Sequence, residues 1–269
     1  MTTPATLSEA VSPLRADPGR AAVLLDIDGT LAPIVRHAGD AIVPELTRAL
    51  LIKVARAYGV VACVSGRTAS DARRLVSIGS MAYIGNHGAE LLRPGSVQPE
   101  VDPEFAHWSK RVHQFVDQQL APDLRRLRVR TEDKGAIVAL HWRGSPDEEG
   151  AQRAVERIAA KAEARGLHVH WGRKVLEIRP GMSLSKGDGI AKLLRDADLA
   201  TALYAGDDRT DLDAFRALTR LVEGGRLQSA VRVGVRSDEG PPEIVAEADV
   251  VIDGDDGVRA LLSALLEAG

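Results

Sequence analysis

Two aspartates two residues apart, Asp26 and Asp28, close an apolar run and lead into Gly29 and Thr30. At a strand end, residues i and i+2 point the same way, so both carboxylates can face one site. Gly29 then lets the chain turn sharply away from it. Such a pair can divide a phosphoryl transfer between its members. One carboxylate attacks phosphorus and becomes an acyl phosphate that water later cleaves. The other protonates the departing oxygen and afterwards takes a proton from that water. A calcium loop of the EF-hand kind is the competing reading, but it needs glycine at its sixth position and glutamate at its twelfth. Here the glycine is fourth and follows a buried strand.

Three further groups extend this chemistry. Ser65-Gly66-Arg67 follows the apolar run Val60 to Val64. A serine hydroxyl and the N–H groups of a glycine turn opening a helix can cradle a phosphate; ordinary turn chemistry writes the same string, and Arg67 reads equally as a solvated residue at a helix entry. Lys186 stands near a helix start, where an ammonium opposes the helix dipole unless an anion compensates it; a surface lysine is the plainer alternative. In Gly206-Asp207-Asp208-Arg209-Thr210-Asp211, three acids within five residues repel one another unless a cation or a hydrogen-bond network holds them. Hard oxygen donors at that density suit magnesium, which takes one or two protein carboxylates and keeps several waters. Asp211 taken by itself also reads as an acid complementing a helix N-terminus.

The elements that must position these groups follow from apolar periodicity. Ala21 to Leu25, Val60 to Val64 and Ala82 to Ile84 read as strands. Pro44 to Tyr58 reads as a helix with Leu46, Leu50 and Val54 on one stripe, and a second helix runs from about Thr68 to Val76. This β-α-β-α-β order predicts a parallel sheet with helices on its faces. It returns late in the chain: Ala191 to Leu194 lies in a helix, Ala202 to Ala205 is a strand and Leu212 to Leu218 a helix. Val231 to Val235 and Val250 to Ile252 are strands, and Val258 to Leu266 closes as a helix. Ligands of such sheets sit beyond the carboxyl ends of the strands, where Asp26, Ser65 and Asp207 each follow a separate run.

The middle of the chain has another grammar. Phe105 to Leu120 looks helical, Ala136 to Trp142 alternates towards a strand, and Leu167 to Trp171 with Val175 to Ile178 read as antiparallel strands. Between them Ser145 is placed to cap a helix with Pro146 at its first position and Glu148 reaching back in a capping box. All three tryptophans, Trp108, Trp142 and Trp171, fall here. The predicted division is a core at 1–94 and 185–269 with an inserted α+β domain at 95–184, hinged near Gly95 and Gly181.

The chain has 269 residues, 35 basic and 38 acidic, for a formal net charge of −3. That balance argues against a nucleic-acid or membrane-surface partner. Aromatics make up only 3%, so the core must be aliphatic. Cys63, the sole cysteine, sits in an apolar run and reads as a buried structural thiol. Met1 to Arg20 contains Pro4, Pro13 and Pro18 and no continuous apolar segment, so it does not read as a signal peptide. No run reaches the roughly 20 apolar residues of a membrane span. A cytoplasmic monomer is expected.

The ordered set of Asp26/Asp28, Ser65, Lys186 and Asp207 resembles the four motifs of the haloacid dehalogenase superfamily. Longer strings resemble its trehalose-6-phosphate phosphatases: Asp26 through Ile34, Ser65-Gly66-Arg67, Gly85-Asn86-His87-Gly88, Gly206 through Asp211 with Asp213-Ala214-Phe215, and in the middle block Lys134, His141-Trp142-Arg143 and Gly172 through Pro180. The resemblance implies a Rossmann-like parallel-sheet core with an inserted α+β cap. It implies Asp26 as nucleophile, Asp28 as general acid and base, and Ser65 with Lys186 as phosphate ligands. Mg2+ would be held by Asp26, the backbone carbonyl of Asp28 and Asp207, with Asp208 and Asp211 as further candidates in or behind that set. Arg67, Asn86, His87, Lys134, His141, Arg143, Lys174 and Glu177 are the implied substrate contacts. The implied partner is a small-molecule sugar phosphate, trehalose 6-phosphate, hydrolysed through an aspartyl phosphate. Alternatives are another sugar-phosphate phosphatase, a phosphomutase, or a non-catalytic sugar-phosphate sensor. Polar groups such as Asn86, Lys174 and Glu177 suit a substrate rich in hydroxyls, because analogues that leave such groups unpaired are rejected. The plainer alternatives are a surface ion pair between Lys174 and Glu177 and structural histidines at His87 and His141.

Overall fold

The computed structural model of the chain describes residues 6–35, 38–120, 122–133, 135–237 and 240–267. The first segment runs α1 (Leu7–Ala16), β1 (Ala21–Leu25), α2 (Glu45–Ala57), β2 (Val60–Val64), α3 (Ala69–Val76), β3 (Ala82–Gly85), β4 (Glu90–Leu92) and β5 (Glu100–Val101). Then come α4 (Pro103–Gln119), α5 (Pro122–Arg126), β6 (Arg130–Asp133), β7 (Val138–His141), α6 (Glu148–Glu163), β8 (His168–Gly172) and β9 (Val175–Arg179). The chain closes with α7 (Lys186–Leu194), β10 (Thr201–Gly206), α8 (Asp211–Glu223), β11 (Ser229–Arg236), α9 (Pro242–Glu247), β12 (Val250–Asp253) and α10 (Gly254–Ala264).

Two compact units result, Met1–Glu100 with Leu184–Gly269, and Val101–Ser183. In the first, eight strands lie in the order β12-β11-β10-β1-β2-β3-β4-β5. Pairing is parallel from β12 to β3, and β4 runs antiparallel to β3. The apolar run of β1 is continuous because both of its faces are covered. Val23 and Leu25 join a core with α1, α2 and α10, while Ala22 and Leu24 join one with α7 and α8. Cys63 lies fully buried in β2, where burial pushes its thiol up and makes it a poor nucleophile.

Strand order creates the crevice. From β1 the chain proceeds to β2 and β3 on one side, then returns through β10 on the other. Loops leaving β1 and β10 therefore diverge at the carboxyl end of the sheet, the place where doubly wound sheets bind ligands.

In the second unit, four antiparallel strands order as β6-β7-β9-β8. Val138, Leu140, Leu176 and Ile178 pack on Val112 and Phe115 of α4 and Val155 and Ile158 of α6. The alternate residues line the opposite face, where Glu132, Ala139, Glu177 and His170 form one cross-strand row.

Several local expectations are corrected. Asp147, not Ser145, caps α6: its carboxylate accepts the Gly150 N–H at 2.8 Å, while the Ser145 hydroxyl is spent on the Leu127 carbonyl at 2.6 Å. The N-terminal stretch, read only as Pro-interrupted, holds α1, capped by a Thr6–Glu9 box with Val11 and Leu14 buried. The first unit also continues through β5 to Glu100, past the division expected at 94/95. Among the described residues, no helix is long and apolar enough to cross a membrane.

Candidate active site

Asp26 is the first residue beyond β1, 4% exposed, with its N–H donated to the Ala205 carbonyl of β10 at 2.9 Å. Lys186 opens α7, a position that favours acids, yet it is only 2% exposed and its Nζ reaches Asp26 Oδ1 at 2.7 Å. The surface-lysine alternative is thereby overturned; the helix tolerates this ammonium because carboxylates surround it. Nζ also donates to Asp211 Oδ1 at 2.6 Å. Asp207 follows β10 and is 2% exposed. One oxygen from each of Asp26, Asp207 and Asp211 lies within 4.8 Å of the others.

Gly29 explains how Asp207 comes so close. Its φ of +93° suits glycine, and a Cβ there would sit 2.1–2.5 Å from the Asp207 carboxylate. Thr30 Oγ1 donates to Asp207 Oδ1 at 3.4 Å.

Charge in this cluster does not balance. Three carboxyl groups face one ammonium, so full ionisation would leave two uncompensated negative charges in a buried place. Burial pushes Asp26 well above the usual carboxylate range; Lys186 opposes, but Asp211 and Asp207 add to the rise. Burial, then the Asp211 and Asp208 carboxylates, push Asp207 up to about 7. Burial pulls the Lys186 ammonium down, but Asp26, Asp211 and Asp208 outweigh it and the net direction is up. Lys186 is thus held charged, and the uncompensated charge would fall on the acids. A divalent cation fits that charge and those hard oxygen donors.

Not all three late acids are equivalent. Asp211, 0% exposed, accepts Lys186 Nζ and the Tyr204 hydroxyl on Oδ1 and the Asp207 and Asp208 N–H groups on Oδ2, both at 2.9 Å. Asp208 turns its Oδ1 to the N–H of Thr210 at 2.8 Å, the Thr210 hydroxyl at 2.7 Å and the N–H of Asp211 at 3.2 Å. It organises the entry to α8, and its side chain lies 3.9 Å from Lys186 Nζ.

Asp28 is clamped by Arg67, whose Nε and Nη2 donate to Oδ2 and Oδ1 at 2.7 and 2.6 Å. Ser65, 1% exposed, accepts the Arg67 N–H on Oγ at 3.1 Å. The next turn locks this loop: Asn86 and His87 donate their N–H groups to the Arg67 and Ser65 carbonyls at 2.7 and 3.1 Å. Both adopt left-handed backbone, with φ of 47° and 53°, a strain that surrounding structure must hold. The His87 ring lies over Gly66, where a Cβ would meet it at 2.6 Å. The Asn86 amide donates to Glu90 Oε1 at 2.7 Å, and Glu90 Oε2 accepts the Ala69 N–H at the start of α3 at 2.7 Å.

Residues nominated in the second unit make local pairs among the described residues. His141 meets Glu132 at 2.9 Å, Lys174 meets Glu148 at 2.6 Å, Glu177 meets Arg179 at 2.5 Å, and Arg143 donates to the Arg173 carbonyl at 3.3 Å. The suggested Lys174–Glu177 pair is therefore replaced by two other pairs. Lys134 lies outside the described residues. Tyr204 and Glu90 escaped the sequence reading, although Glu90 stands two residues after the Gly85-Asn86-His87-Gly88 string and Tyr204 two before the Gly206 to Asp211 string.

Comparison with known proteins places this arrangement. A family profile described as Trehalose-phosphatase matches residues 24–247. A probable trehalose-phosphate phosphatase of Sinorhizobium fredii is 30% identical over 270 residues, covering 95% of this chain and 91% of that protein. Two Arabidopsis thaliana relatives, probable trehalose-phosphate phosphatases D and G, are longer, and the match spans 58% and 59% of their lengths. The solved C-terminal domain of a C. albicans trehalose-6-phosphate phosphatase superposes with a TM-score of 0.67 at 19% identity, covering 98% of each chain. A haloacid dehalogenase-like hydrolase from Bacteroides thetaiotaomicron gives 0.59 at 13% identity over 90% of this chain and 98% of that one, which shows a shared fold.

Proposed function

The chain belongs to the trehalose-phosphatase family, and from that premise we propose that it hydrolyses trehalose 6-phosphate to trehalose and phosphate, with Mg2+ as cofactor and an aspartyl phosphate on Asp26 as intermediate. The observation that carries the reading is the buried cluster of three carboxyl groups and one ammonium formed by Asp26, Asp207, Asp211 and Lys186. Asp26, Asp207 and the backbone carbonyl of Asp28 would hold the cation, which would offset charge on the phosphoryl oxygens and align them.

The remaining steps belong to the protein's own groups. Lys186 holds Asp26 Oδ1 and keeps positive charge beside the phosphoryl oxygens. The Asp26 carboxylate attacks phosphorus, the bond from phosphorus to the sugar oxygen breaks, and the Asp28 carboxyl gives that oxygen a proton. Asp28 then takes a proton from the water that cleaves the acyl phosphate. Arg67 holds Asp28 through two hydrogen bonds and so orients its carboxyl group, while a guanidinium at this place also suits a phosphoryl group. Ser65 and the turn at Gly66 offer further donors. His141, Arg143, Lys174 and Glu177 are assigned to sugar recognition on family resemblance. A cytoplasmic setting agrees with a single, buried cysteine.

Phosphate release across a panel of sugar phosphates, with Mg2+ or with EDTA, tests the proposal. Trehalose 6-phosphate should be preferred, and EDTA should abolish turnover reversibly. Preference for another sugar phosphate overturns the substrate assignment, and tight binding without release supports a sensor instead.

A further inference from the structure

We propose that Tyr204 is a positioning residue for phosphoryl transfer: its buried hydroxyl fixes the Asp211 carboxylate, and through it both the Lys186 ammonium and the Asp207–Asp208 loop. The inference rests on the phosphatase reading above and assigns a role to a residue outside the groups that chemistry nominates.

Tyr204 lies in β10 with no exposed surface, its ring edge-on to Phe215 of α8 at 6.1 Å between centroids. Its hydroxyl donates to Asp211 Oδ1 at 2.5 Å. Burial, then the Asp211 carboxylate, push the phenol well up, so it stays a neutral donor. A carboxylate offers roughly four lone-pair sites. Asp211 has four donors: Tyr204 and Lys186 on one oxygen, two backbone N–H groups on the other. It is satisfied without a cation, although it lies beside the acids that would hold one.

The seat is built for this carboxylate. A Cβ on Gly206 would meet it at 2.3–2.7 Å, so only glycine lets Asp211 settle over the end of β10. From there contacts run without a break from Tyr204 to Asp211, to Lys186 at 2.6 Å and to Asp26 at 2.7 Å. Removing the hydroxyl leaves a buried acceptor one donor short, and such a group recovers its bond by moving. The donor within reach is Lys186, and any shift towards Asp211 takes it from Asp26. The predicted consequence is a slower chemical step rather than weaker sugar binding.

Tyr204→Phe keeps the ring and deletes the hydroxyl; Phe215→Leu loosens the same ring's packing and leaves the hydroxyl in place. Tyr204→Phe should lower kcat for trehalose 6-phosphate by about 10–100-fold, the effect of losing a hydrogen bond to a charged group, with KM within about twofold. Phe215→Leu should lower Tm while kcat stays within about twofold. Wild-type kcat in Tyr204→Phe, or kcat losses that follow Tm in both variants, would overturn the proposal. Nitrogen NMR of the Lys186 ammonium supplies a readout independent of turnover. It should be protected from solvent exchange in the wild-type protein and lose protection in Tyr204→Phe; free exchange in the wild type, or unchanged protection in the variant, overturns the anchor. Absence of phosphate release from the wild-type protein would instead contradict the phosphatase reading, leaving the NMR result to judge Tyr204.

Discussion

Lys186 and Lys174 are both ion-paired lysines at a left-handed or helix-opening turn of the chain, and they differ in what surrounds the pair. Lys186 has 2% of its side chain exposed and sits between Asp26 and Asp211, themselves 6% and 0% exposed. Lys174 is 43% exposed and its partner Glu148 39%. Desolvation makes the first pair expensive to break and ties its geometry to its neighbours. Solvent leaves the second worth little and free to exchange partners. A rigid charge cluster suits a reacting centre, and re-pairable exposed side chains suit recognition of hydroxyls.

The largest effect should come from Lys186→Met. It strands Asp26 and Asp211 in a buried site and should cost about 3–5 kcal/mol in urea unfolding, together with turnover. A cost under ~1 kcal/mol would put Lys186 in the same class as Lys174 and dissolve the contrast.

Next is pH. Because Asp207 is pushed up to about 7 in the folded chain, its contribution favours folding below the unfolded value near 4 and is lost as pH rises through about 7. Metal-free protein should therefore weaken by on the order of 3–4 kcal/mol between pH 4 and 8, at ~1.4 kcal/mol per pH unit. Mg2+ should restore much of that loss by binding only the folded form. Urea midpoints at the two pH values, with and without Mg2+, read both; an equal slope with Mg2+ would argue against a cation at these acids.

Glycine substitutions sharpen the contrast further. Gly29 and Gly95 share positive φ, +93° and +75°, but a Cβ meets the Asp207 carboxylate at Gly29 and open space at Gly95. Backbone strain of about 1–3 kcal/mol applies to alanine at either position, whereas only Gly29→Ala should also abolish phosphate release. Equal activity in the two variants would contradict the close approach of Asp207.

Smallest is Lys174→Ala, expected to change stability by less than ~1 kcal/mol. If the side chain contacts sugar, KM for trehalose 6-phosphate should rise while kinetics on a small aryl phosphate stay unchanged. Parallel changes on both substrates would remove Lys174 from sugar recognition.

What was legible in the residues follows the same physical line. β1 could be bounded to the residue, because five apolar side chains covered on both faces run straight into a pair of acids. Its neighbour β2 was legible for a similar reason. Lys186 was ambiguous, since its burial is decided by carboxylates 160 and 25 residues away in sequence. Tyr204 was invisible: within an apolar strand an aromatic residue reads as core, and nothing local marks its hydroxyl's partner. Glu90 stayed hidden because its bond to Asn86 spans four residues of a non-helical turn, where helical spacing arguments do not apply. α1 was masked by Pro13, which lies inside the helix.

The most direct test of the central claim is chemical. Asp28→Asn should slow cleavage of the intermediate, so protein mixed with Mg2+ and trehalose 6-phosphate labelled in its phosphoryl group, then quenched in acid, should retain label. Peptide mapping should place that label on Asp26, and EDTA or Asp26→Asn should abolish it. Label on another residue, or steady phosphate release with Asp26 replaced, would contradict the account.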